Sequence, residues 1–256
     1  MIESPARLAL YLRRHRCVDG WLQGLSAKFI AELGKAQVDA GVSGTVGEIG
    51  VHMGRLLILL ALLRQPDEIC FAVDVFGDQH LNVDRSGRGD LDIFLRNYRR
   101  WTGRDDVRVI QASSLTLVPE DIPGPCRLVS IDGGHDEECT LHDLKLIERC
   151  MAPGGVIILD DFFNQHWPGV AAGASRYILG GSSFKPFMIS PNKLFLAQDH
   201  FQIVYRDHMR RVFGRFYEKP VTVFGNEVYL FATQQERLAA KIYRLLKTTL
   251  QHLIRG

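Results

Sequence analysis

Paired cysteines, net charge and long apolar runs are all scarce in this chain of 256 residues. Its five cysteines are scattered and contain no CxxC pair, which argues against a disulfide framework and favours a reducing, cytoplasmic environment. The longest apolar run, residues 56–63, is far shorter than a membrane span. The apolar stretch at residues 8–12 is followed by arginines rather than a cleavage site, so we expect no signal peptide.

The charges of the chain almost cancel. There are 31 basic and 29 acidic residues, which leaves a formal net charge of +2. This balance provides no global field for nucleic acid or an anionic membrane, and we expect neither as a partner. Because hydrophobic residues make up 46% of the chain, it is predicted to be globular rather than disordered or collagen-like.

Short apolar segments alternate with helical patterns after residue 44. Strands are predicted at residues 45–49, 69–74, 107–111, 128–132 and 156–160. Each is continuously apolar, as expected for strands that are covered on both faces. Helices are predicted between them at residues 55–64, 91–101 and 140–151. The alternation predicts an α/β fold with a doubly wound, mostly parallel sheet.

The chain is predicted to form one domain with additions at both ends. Residues 5–38 carry apolar side chains at helical spacing. Residues 1–40 are therefore predicted to form an N-terminal helical cap on a core of residues 41–200. Residues 201–256 are predicted to be a C-terminal extension of the same domain.

Two candidate hairpins follow the predicted parallel strands. One surrounds Pro191-Asn192 and the other surrounds Gly225-Asn226. The pattern does not decide which of them adds antiparallel strands to the sheet. Helices are predicted over the basic segment 203–217 and over about residues 234–253.

Candidate site residues follow the predicted strands, because ligands bind beyond the carboxyl ends of an open parallel sheet. The first strand runs into a segment with Glu48, Gly50 and Gly54. Such glycines let the backbone turn and approach a ligand, although a plain strand–turn–helix junction is the alternative. The spacing is not the GxGxxG of dinucleotide sites, and Glu48 would repel a pyrophosphate but could receive an ammonium group.

The next two strand ends suit a nucleoside. Asp74 lies twenty residues after Gly54, where a carboxylate can accept both ribose hydroxyls, although it could also cap a helix. Ser113 and Ser114 suit the edge of an adenine ring, but they also suit a turn.

Three carboxylates, Asp132, Asp160 and Asp161, end the fourth and fifth strands. They would repel one another without a cation or a shared proton. Mg²⁺ suits such an oxygen-rich cluster and could lower the pKa of a substrate hydroxyl. The alternative is that Asp132 only contacts a cofactor and Asp160 only faces solvent.

Other polar residues could serve the substrate. His135 lies one turn from Asp132 and is a candidate general base, or else a helix N-terminal residue without chemistry. His166 and Trp167 are candidates for lining the substrate pocket, or else part of the loop structure. The polar segment 76–100 is a candidate lid or substrate wall, with a surface excursion as the alternative. A basic cluster within residues 206–219 could meet an acidic substrate or form a solvated face.

Together these motifs resemble class I S-adenosylmethionine-dependent methyltransferases. The resemblance rests on Glu-x-Gly-x-x-x-Gly at 48–54, Asp74, residues 131–135, and Pro153-Gly154-Gly155 leading into 159–161. Within the class, the chain is most similar to the small-molecule O-methyltransferase branch that includes macrocin-type sugar methyltransferases. The resemblance covers about residues 40–200 and implies a seven-stranded Rossmann-like sheet.

The resemblance implies roles for the matching positions. The implied cofactor-binding residues are Glu48, Gly50, Met53, Gly54, Asp74, Val75, Ser113, Ser114 and Asp132. The implied ligands of a divalent metal are Asp132, Asp160 and Asp161. Many members have an acid where this chain has Ser113 and Ser114. Some sugar methyltransferases have an acidic base where it has Gly134, which leaves His135 and Asp132 as catalytic candidates.

The sequence therefore predicts methyl transfer from S-adenosylmethionine to a hydroxyl of a small molecule, with Mg²⁺ or another divalent metal. A metal-independent methyltransferase with a histidine base and a non-catalytic cofactor-binding module are the alternatives. A nicotinamide oxidoreductase is disfavoured by the missing GxGxxG. The apolar face of the N-terminal helices could pair two subunits in a homo-oligomer.

Overall fold

The computed structural model describes residues 2–233, apart from the side chain of Asp199. The helices are α1 (Pro5–Arg14), α2 (Gly24–Asp39), α3 (Arg55–Ala61), α4 (Leu91–Thr102), α5 (Glu137–Glu148), α6 (Pro168–Leu179) and α7 (Asp199–Val212). The strands are β1 (Thr45–Ile49), β2 (Cys70–Asp74), β3 (Arg108–Gln111), β4 (Cys126–Ile131), β5 (Met151–Asp160), β6 (Phe184–Ser190), β7 (Lys193–Gln198), β8 (Tyr217–Val223) and β9 (Asn226–Phe231). The helix predicted over about residues 234–253 lies outside the described residues.

One sheet contains the strands of the described chain in the order β3-β2-β1-β4-β5-β7-β6-β9-β8. Strands β1 to β5 are parallel to one another, and β7 is antiparallel to both β5 and β6. The order reverses between β1 and β4, which opens a crevice at the carboxyl ends of these strands. The predicted α/β, doubly wound and mostly parallel fold is confirmed.

The prediction of seven strands is wrong, because the sheet within residues 2–233 has nine. Both candidate hairpins form, since Asn192 (φ +66°) and Gly225 (φ +76°) adopt the left-handed conformation in their turns. The β6–β7 hairpin supplies the antiparallel strands beside β5. The β8–β9 hairpin extends the sheet further, because β9 pairs in parallel with β6.

The predicted helical segment 5–38 is interrupted. Helix α1 ends at Arg14, and a short 3-10 helix (His15–Cys17) followed by a non-helical stretch separates it from α2. Gly20 in this stretch has a φ of +136°, which a helix does not allow. Val18 and Leu22 are buried, so packing fixes the stretch in place. The helix predicted over 203–217 also differs, since α7 ends at Val212 and β8 begins at Tyr217.

The sheet separates two buried clusters. One contains apolar side chains of α1 to α4, including Phe29, Leu57 and Phe94. The other contains those of α5 and α6, including Leu144 and Tyr177. Within residues 2–233, no helix combines the length and apolar character needed to cross a bilayer.

A buried ion pair joins β4 to the loop before β2. The guanidinium of Arg127 is fully buried and donates to both carboxylate oxygens of Glu68, each at 2.8 Å. It also donates to the Gln37 side chain at 3.1 Å and to the Leu63 carbonyl at 2.7 Å. Burial favours a neutral Glu68, but its contacts with Arg127 outweigh burial and lower its pKa.

Candidate functional site

A large pocket of about 830 Å³ opens at the carboxyl ends of β1, β2, β4 and β5. Its lining comes from the strand ends, the N-terminal stretch and two loops: Gly50, Asp74, Asp132, Asp160 and Asp161; residues 20–23; Gln79, Leu81, Asn82, Val83, Ser86, Gly87 and Gly89; and Asn164, His166 and Trp167. The location agrees with the predicted position of a ligand site. The polar segment after β2 forms one wall of the pocket.

The glycine loop after β1 passes close to neighbouring chain segments. Gly50 has a φ of +84°, and a Cβ there would lie 1.7 Å from the backbone oxygen of Asp132. Gly54 has a φ of +87°, and a Cβ there would lie 2.6 Å from the ring of Phe94. Both positions therefore need glycine, for conformation and for space.

The carboxylate of Asp74 fixes this loop. One oxygen accepts the backbone N–H groups of Val51 and His52, both at 2.7 Å, and the other accepts that of Phe76 at 2.6 Å. A carboxylate has about four acceptor sites, so these three bonds leave one free for a ligand hydroxyl. The predicted ribose contact stays a prediction that this geometry allows.

The other predicted cofactor residues differ in their access to the pocket. Val75, Ser113 and Ser114 line it. Met53 does not, and its carbonyl accepts a hydrogen bond from Asn97 at 3.1 Å.

Glu48 lies beneath the pocket rather than in its lining. It is 2% exposed, and its Oε2 has no hydrogen-bond partner among the described residues. Burial and the nearby Asp132 raise the pKa of Glu48 well above its ordinary value. Its predicted contact with an amino group therefore requires a ligand that reaches below the lining.

His135 lies at the centre of a cluster of carboxylates. Its Nδ1 is 2.5 Å from Oδ2 of Asp84, which also accepts the backbone N–H of His135 at 2.8 Å. Its Nε2 lies 3.3 Å from Oδ2 of Asp161 and 3.6 Å from Oδ1 of Asp132. The indole of Trp167 stacks on the imidazole, with the ring centroids 4.4 Å apart.

These contacts change the protonation of the cluster. Burial lowers the pKa of His135, but its contacts with Asp132, Asp161 and Asp84 outweigh burial and raise the pKa to about 11. Burial raises the pKa of Asp161, but the contact with His135 and a hydrogen bond from Asn192 help to lower it to about 2. Burial and the charge of Asp160 raise the pKa of Asp132.

Asp160 has its own partners outside this cluster, although its charge still acts on Asp132. Its Oδ2 accepts a short hydrogen bond from Nζ of Lys193, and its Oδ1 accepts one from Asn192 at 3.0 Å. The side chains of Lys193 and Asp160 are only 3% and 6% exposed. Asp132, His135 and Asp161 instead offer ligand atoms within 4.8 Å of one another. Whether any of them binds a metal stays a prediction.

Sequence reasoning missed the partners of these acids. Asp84 was part of the predicted lid but had no assigned role. The signal that could have found Lys193 is its position at the start of an apolar strand. A lysine there is expected to be buried, and a buried lysine needs an acidic partner. The predicted substrate residues His166 and Trp167 both line the pocket. The basic cluster within residues 206–219 does not, and its Arg206 stacks on Tyr229.

Comparisons with known proteins agree with this geometry. A family model described as a methyltransferase domain matches residues 48–162. The O-methyltransferase NovP is 17% identical with a TM-score of 0.58, over 68% of this chain and 80% of that chain. CalS11, the TDP-rhamnose 3'-O-methyltransferase of calicheamicin biosynthesis, is 19% identical with a TM-score of 0.53, over 76% of this chain and 85% of that chain.

A third structure contains ligands. MycE of the mycinamycin pathway, in complex with Mg, S-adenosylhomocysteine and mycinamycin VI, is 16% identical with a TM-score of 0.50, over 77% of this chain and 55% of that chain. No curated protein matches the chain significantly by sequence. These low identities show the fold alone, and the methyltransferase-domain model covers a little under half of the chain. The predicted resemblance to class I S-adenosylmethionine-dependent O-methyltransferases is confirmed as a resemblance, in fold and in this domain match.

Proposed function

We propose that this protein transfers a methyl group from S-adenosylmethionine to a hydroxyl of a small molecule of the sugar or natural-product type. The observation that carries the proposal is one pocket lined both by Gly50 of the glycine loop with Asp74 and by the His135 cluster. The methyltransferase-domain match supports methyl transfer. The resemblance to CalS11, which acts on TDP-rhamnose, favours an oxygen acceptor.

The two parts of the pocket would have different tasks. The glycine loop, Asp74, Val75 and the two serines would hold the cofactor, which supplies an already activated methyl group. The chain must then align the acceptor oxygen with this methyl group and take up the hydroxyl proton. His135 is positioned for this second task, because Asp84 holds its Nδ1 and its Nε2 faces the cluster. Since the surrounding carboxylates raise its pKa to about 11, His135 would act as a base only after the positive charge of the bound cofactor, or of a metal, lowers that pKa.

The cluster also has the composition of a divalent-metal site. Asp132 and Asp161 supply carboxylate oxygens, which suit Mg²⁺ or Mn²⁺. The Asp84 contact at Nδ1 of His135 matches the carboxylate–histidine–metal arrangement that fixes a ligating imidazole. A bound metal would lower the pKa of the acceptor hydroxyl. Asp160 is left out of this set, since Lys193 already neutralises it.

A metal-independent reaction is the second candidate. The Asp84–His135 contact favours it, because the same hydrogen bond would orient the imidazole as a base. Unlike the first candidate, this reaction would continue in the presence of a chelator.

Ligand binding and methyl transfer test the proposal together. We expect the protein to bind S-adenosylhomocysteine in calorimetry and to transfer a labelled methyl group to a member of a panel of sugars, including TDP-rhamnose. No binding and no transfer would contradict the proposal. In electron paramagnetic resonance, Asp132→Asn and Asp161→Asn should weaken Mn²⁺ binding. The exposed Asp92→Asn is the control and should not weaken it.

Activity that persists in EDTA, together with unchanged Mn²⁺ binding in both cluster variants, would leave only the metal-independent reaction.

A further inference from the structure

The N-terminal wall of the pocket carries positive charge that no contact in the described chain neutralises. Arg16 and Arg55 both line this wall. Arg16 is exposed and forms no hydrogen bond or ion pair within residues 2–233. Arg55 donates from Nε to the Val18 carbonyl at 2.5 Å, and its two terminal nitrogens have no partner in the same part of the chain. The nearby Asp19 forms no ion pair with either arginine.

The acids that line the pocket are engaged elsewhere. Asp74 accepts three backbone N–H groups, and Asp160 is paired with Lys193. Asp132 and Asp161 face His135. None of these carboxylates forms an ion pair with an arginine of the described chain, so the N-terminal wall keeps an excess of positive charge.

Packing places this charge at the pocket. Gly20 lies against the first residue of α3, since a Cβ on Gly20 would lie 3.3 Å from Cβ of Arg55. Burial and the neighbouring Arg16 both lower the pKa of Arg55, although Tyr11 and Asp19 act in the opposite direction. Two cations near one another are unfavourable without an anion, and guanidinium groups bind carboxylate and phosphate oxygens in a fork.

Trp21 adds an apolar surface to the same wall. It is 69% exposed although it lines the pocket, and its ring lies 5.1 Å from that of His52. An exposed indole on the same wall as two guanidinium groups that form no ion pair in the described chain suits a ligand that joins an anionic group to an apolar or planar part.

We propose that Arg16 and Arg55 form an anion subsite that takes a carboxylate or phosphate group, with Trp21 as its apolar wall. The assignment of this anion to a particular ligand rests on the proposed function, because both of its possible sources are ligands of a methyltransferase. One source is the carboxylate at the methionine end of the cofactor. The other is an acidic group on the acceptor, such as the diphosphate of an activated sugar. Both present the same oxygen geometry to a guanidinium group.

Three probes distinguish the two sources in calorimetry. S-adenosylhomocysteine carries the carboxylate, 5'-methylthioadenosine shares the nucleoside and sulfur but lacks the amino-acid end, and pyrophosphate represents an acidic acceptor. Each probe is titrated into wild-type protein and into Arg16→Gln, Arg55→Gln and Arg13→Gln. Arg13 is the matched control, because it is exposed on α1 and does not line the pocket. Circular dichroism verifies that each variant is folded.

If the anion belongs to the cofactor, Arg16→Gln and Arg55→Gln should weaken the binding of S-adenosylhomocysteine at least about tenfold, or ~1.4 kcal/mol. Binding of 5'-methylthioadenosine then stays unchanged. If the anion belongs to the acceptor, the same two variants should bind S-adenosylhomocysteine as wild type does. They should lose pyrophosphate binding, whether or not S-adenosylhomocysteine is present in the titration. If both variants bind all three probes as Arg13→Gln does, the subsite does not exist.

A failure of the proposed function is a separate result. Wild-type protein that does not bind S-adenosylhomocysteine contradicts the proposed function, while the pyrophosphate titration still decides whether the two arginines bind an anion.

Discussion

Removing the ammonium group of Lys193 should destabilise the fold, because it leaves the buried carboxylate of Asp160 at the pocket without its counter-charge. The side chains of Lys193 and Asp160 are 3% and 6% exposed, and they form an ion pair. Within residues 2–233, Asp160 forms no other ion pair. The charge of Lys193 also acts on Glu48 and Asp132. In Lys193→Met, three acids stay close together in a buried region without this cation. Breaking such a pair by removing one partner costs about 3–5 kcal/mol.

The assay is thermal and urea unfolding followed by circular dichroism. For a domain of this size, each ~1 kcal/mol shifts Tm by about 2–4 °C, so we expect Lys193→Met to lower Tm by roughly 6–20 °C. The double variant Lys193→Met/Asp160→Asn should recover most of the loss, because the uncompensated charge is gone. Lys28→Met is the control, since Lys28 is exposed on α2. The difference from wild type should narrow in acid, where protonation removes the buried negative charge.

Two results would refute this reasoning. The first is a Lys193→Met variant whose free energy of unfolding lies within about 1 kcal/mol of wild type, as is usual for surface substitutions. The second is a double variant that is no more stable than the single one, which would mean that the loss arises from packing rather than from charge.

Three further variants test other parts of the molecule. Gly50→Ala should weaken S-adenosylhomocysteine binding at least about tenfold in calorimetry, because its Cβ would lie 1.7 Å from the Asp132 oxygen. Glu68→Gln should cost about 3 kcal/mol at neutral pH by urea unfolding, since it leaves the buried Arg127 without a counter-charge. Arg127 helps to lower the folded-state pKa of Glu68, so this stabilisation exists above the unfolded value of about 4.3 and decreases as pH falls through the folded-state pKa. Trp21→Ala should raise the KM of the ligand whose anionic group the two arginines bind, cofactor or acceptor, by about tenfold with less change in kcat in steady-state assays, because it removes apolar contact area.

Local patterns predicted most of the parallel core. Strand β1 has the predicted bounds, β2 to β4 lie within about two residues of theirs, and β5 begins about five residues before its predicted start. Strands β1, β2 and β4 and most of β5 are buried and read as apolar runs, whereas the edge strand β3 is partly exposed. The C-terminal part was harder to predict. Both turns are compatible with hairpins, and their order in the sheet depends on which strand edges remain unpaired after β5.

The sequence by itself determined which residues end the core strands, and so placed Gly50, Asp74 and Asp132 at one pocket. Only the tertiary structure decided how the acids there are neutralised. Asp84 is 51 residues from His135 in the chain, and Lys193 is 33 residues from Asp160. Strand periodicity is a local property of the chain, whereas a charge pair depends on how distant segments pack. For this reason the pocket could be predicted, but the pairing of Asp160 with Lys193 could not.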